Sequence, residues 1–589
     1  MPGGFFHRHA GTGIVCAVDA RIDATPGLSG PSGDAPHGPA AIFAHAYLAF
    51  GAEFLSRIVG DFCGVLWDPR NRRLLLFTDR IGSRGVFFRR TADRLTFSTD
   101  LRHLTAAHSG KAEFDLLLEW VLDPFQAATA GASVCEWVPS GHAAIIDSAS
   151  VTMRRYWNPA DAPDVRYRKS EDYVDAAEAL LEEAVRCRLP RRRAAGCDLS
   201  GGLDSPLIAG TAAKLLARSG RTLTAFTATH TDPEYAKTWR GHYWDEHRAA
   251  AEFAARFPNV EHVQVSTDAP GLFDGTESFL AGAGQAPRAL MSSWATRHAV
   301  ATEARQRRIG VLLAGICGNE TVSQDGASAL SWLLRRGRAV ALAQSWMALR
   351  RNGRPTRNIA AATFVPLLPT RLQRPLVNWF GGTPQNTMRD LIPLAPNLRP
   401  AAARSSRFGR STPYCSSPRQ TLEALTQLSG TNMHAWYRHS FDIDLRSPFT
   451  DSRIMEFCAG LPPDQFCSDG EYRHLARRLL RRLGAPDALV NETRRGIQYA
   501  NWHSAMMRER PALYRMIDDL ENNATASRLL DLAEMRRLVD GLPAANPVSR
   551  SDLTRCGLRL SAGLGLGRFI LRLEGSNAGP VLKDVEELA

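Results

Sequence analysis

The sequence predicts two kinds of domain: a β-rich, α+β N-terminal domain and, after it, an α/β domain built on a doubly wound parallel sheet. In residues 1–157, short runs of alternating polarity are separated by turn residues, which is typical of antiparallel strands. From residue 165 to residue 589, apolar runs alternate with stretches of helical periodicity. That alternation predicts parallel strands joined by helices that cover the sheet.

The N-terminal elements are short. Strands are predicted at Arg73–Thr78, Gly85–Phe88 and Leu95–Ser98, each bounded by turn residues. A stretch rich in Pro and Asp, Asn158–Asp164, then predicts a linker. The chain therefore divides into two predicted domains, 1–157 and 165–589.

The second domain begins with a predicted helix over Tyr173–Cys187. The strands predicted after it are Gly196–Leu199, Leu223–Ala228, Val260–Val265 and Ile309–Ala314, with helices at Glu246–Phe257 and Trp294–Arg307 between them. Residues 352–418 are rich in Pro, Arg and Asn and predict a long irregular insertion or mobile lid. The remainder of the chain is predicted to be mostly helical.

The composition excludes several classes of protein. The chain has 589 residues, and its 12 Trp, 25 Phe and 11 Tyr exclude disorder over most of its length. No apolar run reaches the roughly 18 residues of a membrane span, and the N-terminus lacks the apolar stretch of a signal peptide. Ten Cys without a CxxC pair suggest neither zinc nor a disulfide framework. We therefore expect a cytoplasmic protein with no membrane partner.

The net charge of +12 raises the question of nucleic-acid binding. Only five of the 72 basic residues are Lys, and Arg is spread along the chain in company with Ala. This distribution predicts no nucleic-acid partner. The charge still suits an anionic nucleotide or an acidic peptide.

The most informative segment is Cys197–Pro206, where Ser-Gly-Gly-Leu-Asp-Ser stands between a predicted strand and a predicted helix. Glycines allow close approach of an anion, and a helix N-terminus offers unpaired N–H groups, so the loop predicts a pyrophosphate site for ATP. Ser205 suits the N-cap of the helix and Pro206 its first position. Asp204, beside the anion, is best explained as a Mg²⁺ ligand. The alternative is an ordinary glycine turn. The predicted ATP-binding residues of the loop are Leu199, Ser200, Gly201, Gly202, Leu203, Asp204 and Ser205.

This loop resembles the pyrophosphate loop of the ATP-pyrophosphatase superfamily, and other segments narrow the resemblance. Gly60–Asp68, Thr78–Gly82 and Phe97–Leu101 resemble the glutaminase domain of asparagine synthetases, while Tyr243–Glu246 and Arg446–Asp451 resemble segments of their synthetase domain. The resemblance implies an Ntn-type β-sandwich glutaminase domain followed by an adenylating domain that uses ATP and Mg²⁺.

The N-terminal domain departs from that family at its catalytic residue. The glutaminase of the family uses an N-terminal Cys, whereas position 2 here is Pro2, and Cys16, the nearest Cys, has no free α-amine. The resemblance therefore implies a degenerate domain that does not hydrolyse glutamine by that chemistry.

The adenylating domain departs from the family in the segment Ala314–Glu320 and near residue 494. Ile316 stands where the family has the glutamate that takes part in forming aspartyl-AMP, and Asn319 stands where it has a metal-binding aspartate. Glu320 is then the candidate second metal ligand. Arg494 or Arg495 takes the place of the family's Lys and is a candidate catalytic residue that stabilises charge on the α-phosphate, unless both are solvated surface residues.

The replacements resemble another branch of the family. Gly318–Gly326 resembles the GNxTxSxxG signature of lasso-peptide macrolactam synthetases, and Arg495–Trp502 resembles their RGxQxxxW segment. The resemblance implies adenylation of an Asp or Glu side chain of a precursor peptide, followed by attack of the peptide's N-terminal amine. It further implies a leader peptidase and a leader-binding protein as partners. The alternatives are a β-lactam synthetase type of ligase, an ammonia-dependent asparagine synthetase and a non-catalytic ATP-binding scaffold.

Several further residues are candidates whose roles stay open. Thr227 and Gly315 are predicted to border the adenosine, with ordinary strand-end residues as the alternative. Asp444 is a candidate base that orients the amine, or a partner of Arg446 in an ion pair at a helix end. The motif residues without an assigned role are Asn319, Thr321 and Ser323.

Overall fold

The computed structural model describes residues 5–28, 38–105, 114–122, 135–230, 246–268, 271–283, 291–369, 372–373, 376, 391–400, 417–426, 431–494, 496, 502–544 and 549–575. Two sheet systems organise these residues, one antiparallel and one parallel.

The N-terminal domain is built from antiparallel strands. They are β1 (Phe6–Arg8), β2 (Val15–Ala24), β3 (Val59–Asp68), β4 (Arg73–Thr78), β5 (Phe87–Arg90), β6 (Leu95–Ser98), β7 (Glu136–Trp137), β8 (His142–Ile146) and β9 (Val151–Arg155). The larger sheet has the order β1-β2-β3-β4-β8-β9 and the smaller one the order β6-β5-β7. The strands predicted at Arg73–Thr78 and Leu95–Ser98 are confirmed, and the one predicted at Gly85–Phe88 runs from Phe87 to Arg90.

Aromatic packing holds the helix Pro39–Phe50 against the larger sheet. The ring of Phe43 on this helix stacks on that of Phe77 with centroids 5.3 Å apart, and it meets the ring of Phe62 edge-on at 5.0 Å. All three side chains are buried. Such pairs add about 0.5–1.5 kcal/mol each to the burial of their area. The other N-terminal helices are the 3₁₀ helix Gly51–Arg57 and the α-helices Leu101–Thr105 and Phe114–Leu122.

The second sheet is parallel, as predicted. Its strands are β10 (Ala194–Asp198), β11 (Leu223–Thr229), β12 (Val260–Ser266), β13 (Ile309–Leu313) and β14 (Asp444–Arg446), in the order β12-β11-β10-β13-β14. The order reverses at β10, since the chain first builds β11 and β12 on one side and then β13 and β14 on the other. The four predicted strands are confirmed to within two residues at each end. The edge strand β14 was not predicted, because it is three residues long.

Helices cover both faces of the parallel sheet. Cys197 and Val311 pack on the face covered by Ser170–Arg188 and Asp204–Ala217, whereas Phe226 and Leu312 pack on the opposite face. The remaining α-helices are His247–Ala254, Asp274–Ala283, Met291–Gln306, Ala329–Arg335, Ala339–Arg351, Thr356–Phe364, Pro418–Leu425, Thr431–Phe441, Ser452–Gly460, His474–Leu483, Asp487–Val490, Trp502–Arg508, Arg510–Glu521, Ala524–Leu529, Leu532–Asp540, Arg550–Asp552 and Ser561–Leu573, with a π-helical stretch at Leu553–Leu560. The hairpin Cys467–Ser468 and Glu471–Tyr472 forms β15 and β16.

The structure corrects the prediction of an irregular insertion at 352–418. Residues Thr356–Phe364 form a helix whose Ile359 and Ala362 pack in a small core with Leu330 and Leu349. Part of the predicted insertion, including residues 401–416, lies outside the described residues. Within the described part of the chain, we find no helix with the length and apolar character needed to cross a membrane.

Candidate active site

The Ser-Gly-Gly-Leu-Asp-Ser loop leaves the carboxyl end of β10, the strand at which the sheet order reverses. In open parallel sheets, ligands bind outside the carboxyl ends of the strands at this point. The two serines brace the loop: the N–H of Ser200 donates to Oγ of Ser205 at 2.8 Å, and the N–H of Gly202 donates to Oγ of Ser200 at 3.1 Å. The loop is therefore held in one conformation by its own side chains.

The prediction that Ser205 caps the helix is wrong. The helix begins at Asp204, Leu203 occupies the N-cap position, and no side chain caps the helix. Pro206 consequently lies in the first turn, two positions after the start. The hydroxyl of Ser205 holds Ser200 instead. Its Oγ accepts from the N–H of Ser200 at 2.8 Å and lies 2.9 Å from Oγ of the same residue.

Asp204 is enclosed by the segment that follows β13. The hydroxyl of Ser323 donates to Oδ1 of Asp204. Gly318 lies so close that an added Cβ would overlap with the same carboxylate, and a Cβ on Gly315 would stand 3.1 Å from Cβ of Asp204. Gly318 is thus favoured by its close approach to Asp204, Gly315 is tightly packed against the same residue, and Ser323 orients the predicted metal ligand. Asn319, the exposed neighbour of Gly318, has no such contact.

The backbone of this segment is held in an unusual turn. Cys317 has a φ of 67°, in the left-handed region that costs a non-glycine residue about 1–2 kcal/mol. The buried hydroxyl of Thr321 donates to the carbonyl oxygen of Cys317 at 2.7 Å and so closes the turn. The motif residues Thr321 and Ser323 therefore shape the loop, one through its backbone and one through Asp204.

Two carboxylates of the site repel each other. Burial raises the pKa of Asp204, and burial together with the charge of Asp204 raises the pKa of Glu320. A pair of this kind suits Mg²⁺, which binds through one or two carboxylates and completes its shell with water and substrate phosphates. Among the described residues, no group of three or more His, Cys, Asp or Glu side chains could hold a metal ion. Asp204 and Glu320 would accordingly hold Mg²⁺ together with the phosphates of ATP.

Arg473 is a residue of the site that sequence reasoning missed. Its positive charge lowers the pKa of both Asp204 and Glu320, opposing the effect of burial. Its φ is 57°, and it stands directly before the helix His474–Leu483. Within the described part of the chain, its guanidinium has no ion pair within 4 Å. Such a cation is available to the phosphates of a nucleotide, and no motif in the sequence signals it.

Asp198 is the second residue that sequence reasoning missed. It is the last residue of β10, and burial raises the pKa of its carboxyl to about 6, against the opposing charge of Arg297. Arg297 also hydrogen-bonds the buried hydroxyl of Tyr437. In the sequence, Asp198 is an ordinary strand residue, and its position directly before the Ser-Gly-Gly-Leu-Asp-Ser loop is the one signal that could have identified it.

Thr227 and Gly315, predicted to border the adenosine, both lie at the carboxyl edge. The buried hydroxyl of Thr227 donates to the carbonyl oxygen of Leu199 at 2.7 Å and lies 2.8 Å from Nε2 of His262. Thr227 therefore anchors the start of the loop. Its role toward adenosine stays a prediction, as does that of Gly315.

Asp444 is not placed at the carboxyl edge. It is the first residue of β14, paired with Val311 and so two residues before the end of β13. Nη2 of Arg446 lies 2.7 Å from its carboxylate, and Arg446 lowers its pKa against the effect of burial. The predicted alternative, an ion pair with Arg446, is confirmed, although the pair lies on a strand and not at a helix end. Its role as a base stays a prediction.

Of the two candidate arginines, Arg494 lies at the surface. Arg494 forms an ion pair with Glu492 at 2.5 Å, and its side chain is 52% exposed. Arg495 lies outside the described residues. Charge stabilisation by either residue stays a prediction.

The fold and the site together define a class: a parallel-sheet domain with a glycine-containing loop after its central strand and two carboxylates at that loop. The chain belongs to the asparagine synthase family, whose model matches residues 176–563. A glutamine amidotransferase domain model matches residues 37–157.

Individual relatives match shorter stretches. The amidase chyE of Penicillium rubens is 27% identical over 180 residues, 29% of this chain and 26% of the relative. The glutamine-hydrolysing asparagine synthetase 3 of Bacillus subtilis is 23% identical over 184 residues, 31% of this chain and 30% of the relative. The matched stretch thus spans less than a third of either relative.

Among solved structures, the glutamine phosphoribosylpyrophosphate amidotransferase of Bacillus subtilis is similar over 37% of this chain and 47% of its own, with 12% identity and a TM-score of 0.19. The NMN synthetase of Francisella tularensis is similar over 26% of this chain and 58% of its own, with 15% identity and a TM-score of 0.16.

Proposed function

We propose that the protein is an ATP-dependent amide ligase that closes the macrolactam ring of a ribosomally made lasso peptide. The observation that carries the proposal is the arrangement of Gly318–Gly326 around Asp204. Ser323 holds the carboxylate, Gly318 makes room for it, and Thr321 closes the turn between them. Residues that depart from the asparagine synthetase pattern are thus built into the nucleotide site, which argues against random loss of function.

The first half of the reaction activates a carboxylate. An Asp or Glu side chain of the core peptide attacks the α-phosphate of ATP, and the bond to the β-phosphate breaks to release pyrophosphate. The N-terminus of the helix Asp204–Ala217, which no side chain caps, and Arg473 stabilise the departing charge. Asp204 and Glu320 would hold Mg²⁺, which supplies charge neutralisation at the phosphates.

The second half forms the ring. The N-terminal α-amine of the same peptide attacks the acyl-adenylate, a C–N bond forms, and the C–O bond to AMP breaks. Because the amine belongs to the peptide, no ammonia is required. A site that holds the prefolded peptide supplies the orientation, an effect worth up to about 7–11 kcal/mol in well-aligned intramolecular reactions.

The properties of the N-terminal domain fit a reaction that requires no ammonia. Cys16 is buried on β2, and burial raises the pKa of its thiol to about 12. A thiol of that pKa supplies almost no thiolate at neutral pH, so it cannot act as the nucleophile of a glutaminase. We propose that this domain is structural, and that the enzyme is cytoplasmic and works with a leader peptidase and a leader-binding protein but with no nucleic acid.

The decisive experiment supplies ATP, Mg²⁺ and a leader-free core peptide from the same biosynthetic cluster. We expect mass spectrometry to show a peptide that has lost one water, with stoichiometric AMP and pyrophosphate. Both products should disappear in Asp204→Asn and persist in Asp442→Asn, whose carboxylate is 86% exposed. AMP without a dehydrated peptide would contradict ring closure and favour a small-molecule amide ligase. A correctly folded protein that releases no AMP would indicate a scaffold.

A further inference from the structure

The helices that follow the segment Gly318–Gly326 carry positive charges and no negative ones. Between Asp325 and Asp390 the sequence contains no Asp or Glu, and it contains ten Arg. The segment begins directly after the motif and includes the helices Ala339–Arg351 and Thr356–Phe364. Although Arg is spread along the whole chain, residues 326–389 therefore form one region in which no Asp or Glu lies near the arginines in sequence.

Many arginines elsewhere in the described part of the chain form ion pairs with acidic side chains, although others, such as Arg473, do not. Arg482, for example, contacts Glu171 and Asp175 at 2.7 and 2.6 Å. In the acid-free segment, Arg338 reaches a distant carboxylate, that of Asp464, at 3.2 Å. The exposed side chains of three others make no ion pair within 4 Å to any described residue; they are Arg350, Arg351 and Arg357.

Exposed apolar side chains lie on the same two helices. Val340, Met347 and Phe364 are 73%, 52% and 52% exposed. Val340 and Met347 are seven residues apart, so they share one face of their helix. Nε1 of Trp346 donates to Oγ1 of Thr363 at 3.0 Å, which ties the turn that carries Met347 to the turn that carries Phe364. The opposite side of the first helix is committed to a core, because Leu349 is fully buried.

We propose that this surface, the arginine face (Val340, Met347, Arg350, Arg351, Arg357 and Phe364), docks a partner protein through an acidic amphipathic helix. The apolar side chains would receive the apolar stripe of that helix. Unpaired guanidinium groups suit carboxylates, to which they donate in parallel pairs. Exposed apolar groups rimmed by unpaired charge of one sign are a usual mark of a protein interface.

The arginine face is linked to the site through a short rigid connection. The N–H of Ala329, which begins the next helix, donates to the carbonyl oxygen of Gly326 at 2.9 Å. Gly326 has a φ of 71° and lies against the backbone of Phe466 and Cys467, where no Cβ would fit. Leu330 of the helix that begins at Ala329 packs with Leu349 and Ile359, so the helices that carry the arginine face are connected through it to the segment that surrounds Asp204. The docking proposal rests on charge and exposure and holds whichever amide the enzyme forms.

The test uses the full chain and a fluorescent synthetic amphipathic helix with Glu on its polar face and Leu on its apolar face. A matched peptide with Lys in place of each Glu is the probe control. We expect anisotropy to show salt-sensitive binding of the acidic peptide alone. Binding should weaken about tenfold or more in Arg350→Glu/Arg351→Glu/Arg357→Glu and, separately, in Met347→Ser/Phe364→Ser.

A charge-matched variant controls for net charge. Arg218→Glu/Arg248→Glu/Arg536→Glu changes two exposed arginines and one half-buried arginine, all of which have acidic partners, and it should bind as the unmodified protein does. Equal weakening by both triple variants, or no binding of the acidic peptide, would overturn the proposal. Binding of phosphatidylglycerol vesicles or poly(U) RNA that depends on the arginine face and exceeds that of the acidic peptide would also overturn it. Circular dichroism and AMP release check that each variant is folded.

Discussion

Asp61 of the N-terminal domain and the pair Asp204 and Glu320 of the parallel-sheet domain lie in opposite electrostatic surroundings. On the N-terminal side, burial would raise the pKa of Asp61, but the charges of Arg21 and Arg188 outweigh it and lower the pKa. At the carboxyl edge of the parallel sheet, the pKa values of Asp204 and Glu320 stay raised. Carboxylates that are fully paired stabilise a fold, whereas carboxylates left short of positive charge mark the place where a cation or ligand is to bind.

The paired carboxylates join the two domains. Arg188 is only 2% exposed, and its guanidinium lies 2.8 Å from Asp451 of the adenylating domain. The same guanidinium lies 3.5 Å from Asp23 and 3.6 Å from Asp61 of the N-terminal domain. The N-terminal domain consequently helps to hold the segment Arg446–Asp451 in place, whether or not that domain has a catalytic activity.

The largest effect is expected at this junction. Arg188→Met removes the cation and leaves three carboxylates close together, so we expect a loss of about 3–5 kcal/mol in the free energy of unfolding. Urea denaturation followed by circular dichroism measures it. Arg186→Met, on the same helix with a 60% exposed side chain, should change stability by less than about 0.5 kcal/mol. Equal effects of the two variants would show that the junction contributes nothing specific.

The next largest effect is expected at the two carboxylates whose pKa values stay raised, Asp204 and Glu320. Asp204→Asn should lower AMP formation by about 100- to 1,000-fold, because the variant loses a charge that acts on the phosphates. Its stability should be retained, since the substitution removes a buried charge that lacks a full partner. Steady-state AMP release and thermal unfolding measure the two quantities. A destabilised variant with normal turnover would place Asp204 among the structural carboxylates instead.

A smaller effect, dependent on pH, is expected at Asp198. Its pKa is raised from 3.8 to about 6 in the folded protein, so ionisation costs stability as the pH rises from about 4 to 6, and the cost persists above that range. Asp198→Asn should therefore stabilise the protein by about 2–3 kcal/mol at pH 7.5 and by little at pH 4. Thermal melts across that range test this, with Asp442→Asn as an exposed control. A gain of equal size at both pH values would contradict the argument.

The smallest effect is expected in the N-terminal domain. Cys16→Ala should leave AMP formation within about twofold of the unmodified protein, because the buried thiol takes no part in the reaction. Added glutamine should produce no glutamate in either protein. A large loss of AMP formation in a stable Cys16→Ala protein would mean that the domain retains chemistry of its own.

Local patterns accounted for the elements and for the loop. The order of strand, glycine turn and helix predicted β10 to within two residues and a helix after the loop, since each element is decided by neighbours in the chain. That helix begins at Asp204 and not after Ser205. The loop residues Ser200–Ser205 were identified from their spacing. The edge strand β14 was not predicted, because three residues are too few to show periodicity. The role of Ser205 was assigned wrongly, because its hydroxyl could either cap the helix or accept from the N–H of Ser200, and the sequence pattern is the same in both cases.

The sequence by itself determined the two domain types, the position of the Ser-Gly-Gly-Leu-Asp-Ser loop after a strand, and the family to which the chain belongs, because these depend on contiguous residues. Tertiary structure alone decided which charges meet. It brought Ser323 to Asp204 and Asp451 to Arg188, across 119 and 263 residues. It also placed the charge of Arg473 near two carboxylates and left three arginines of one face without an ion pair to any residue that the structure describes. Such contacts are set by the packing of whole helices and sheets, and no local pattern records them.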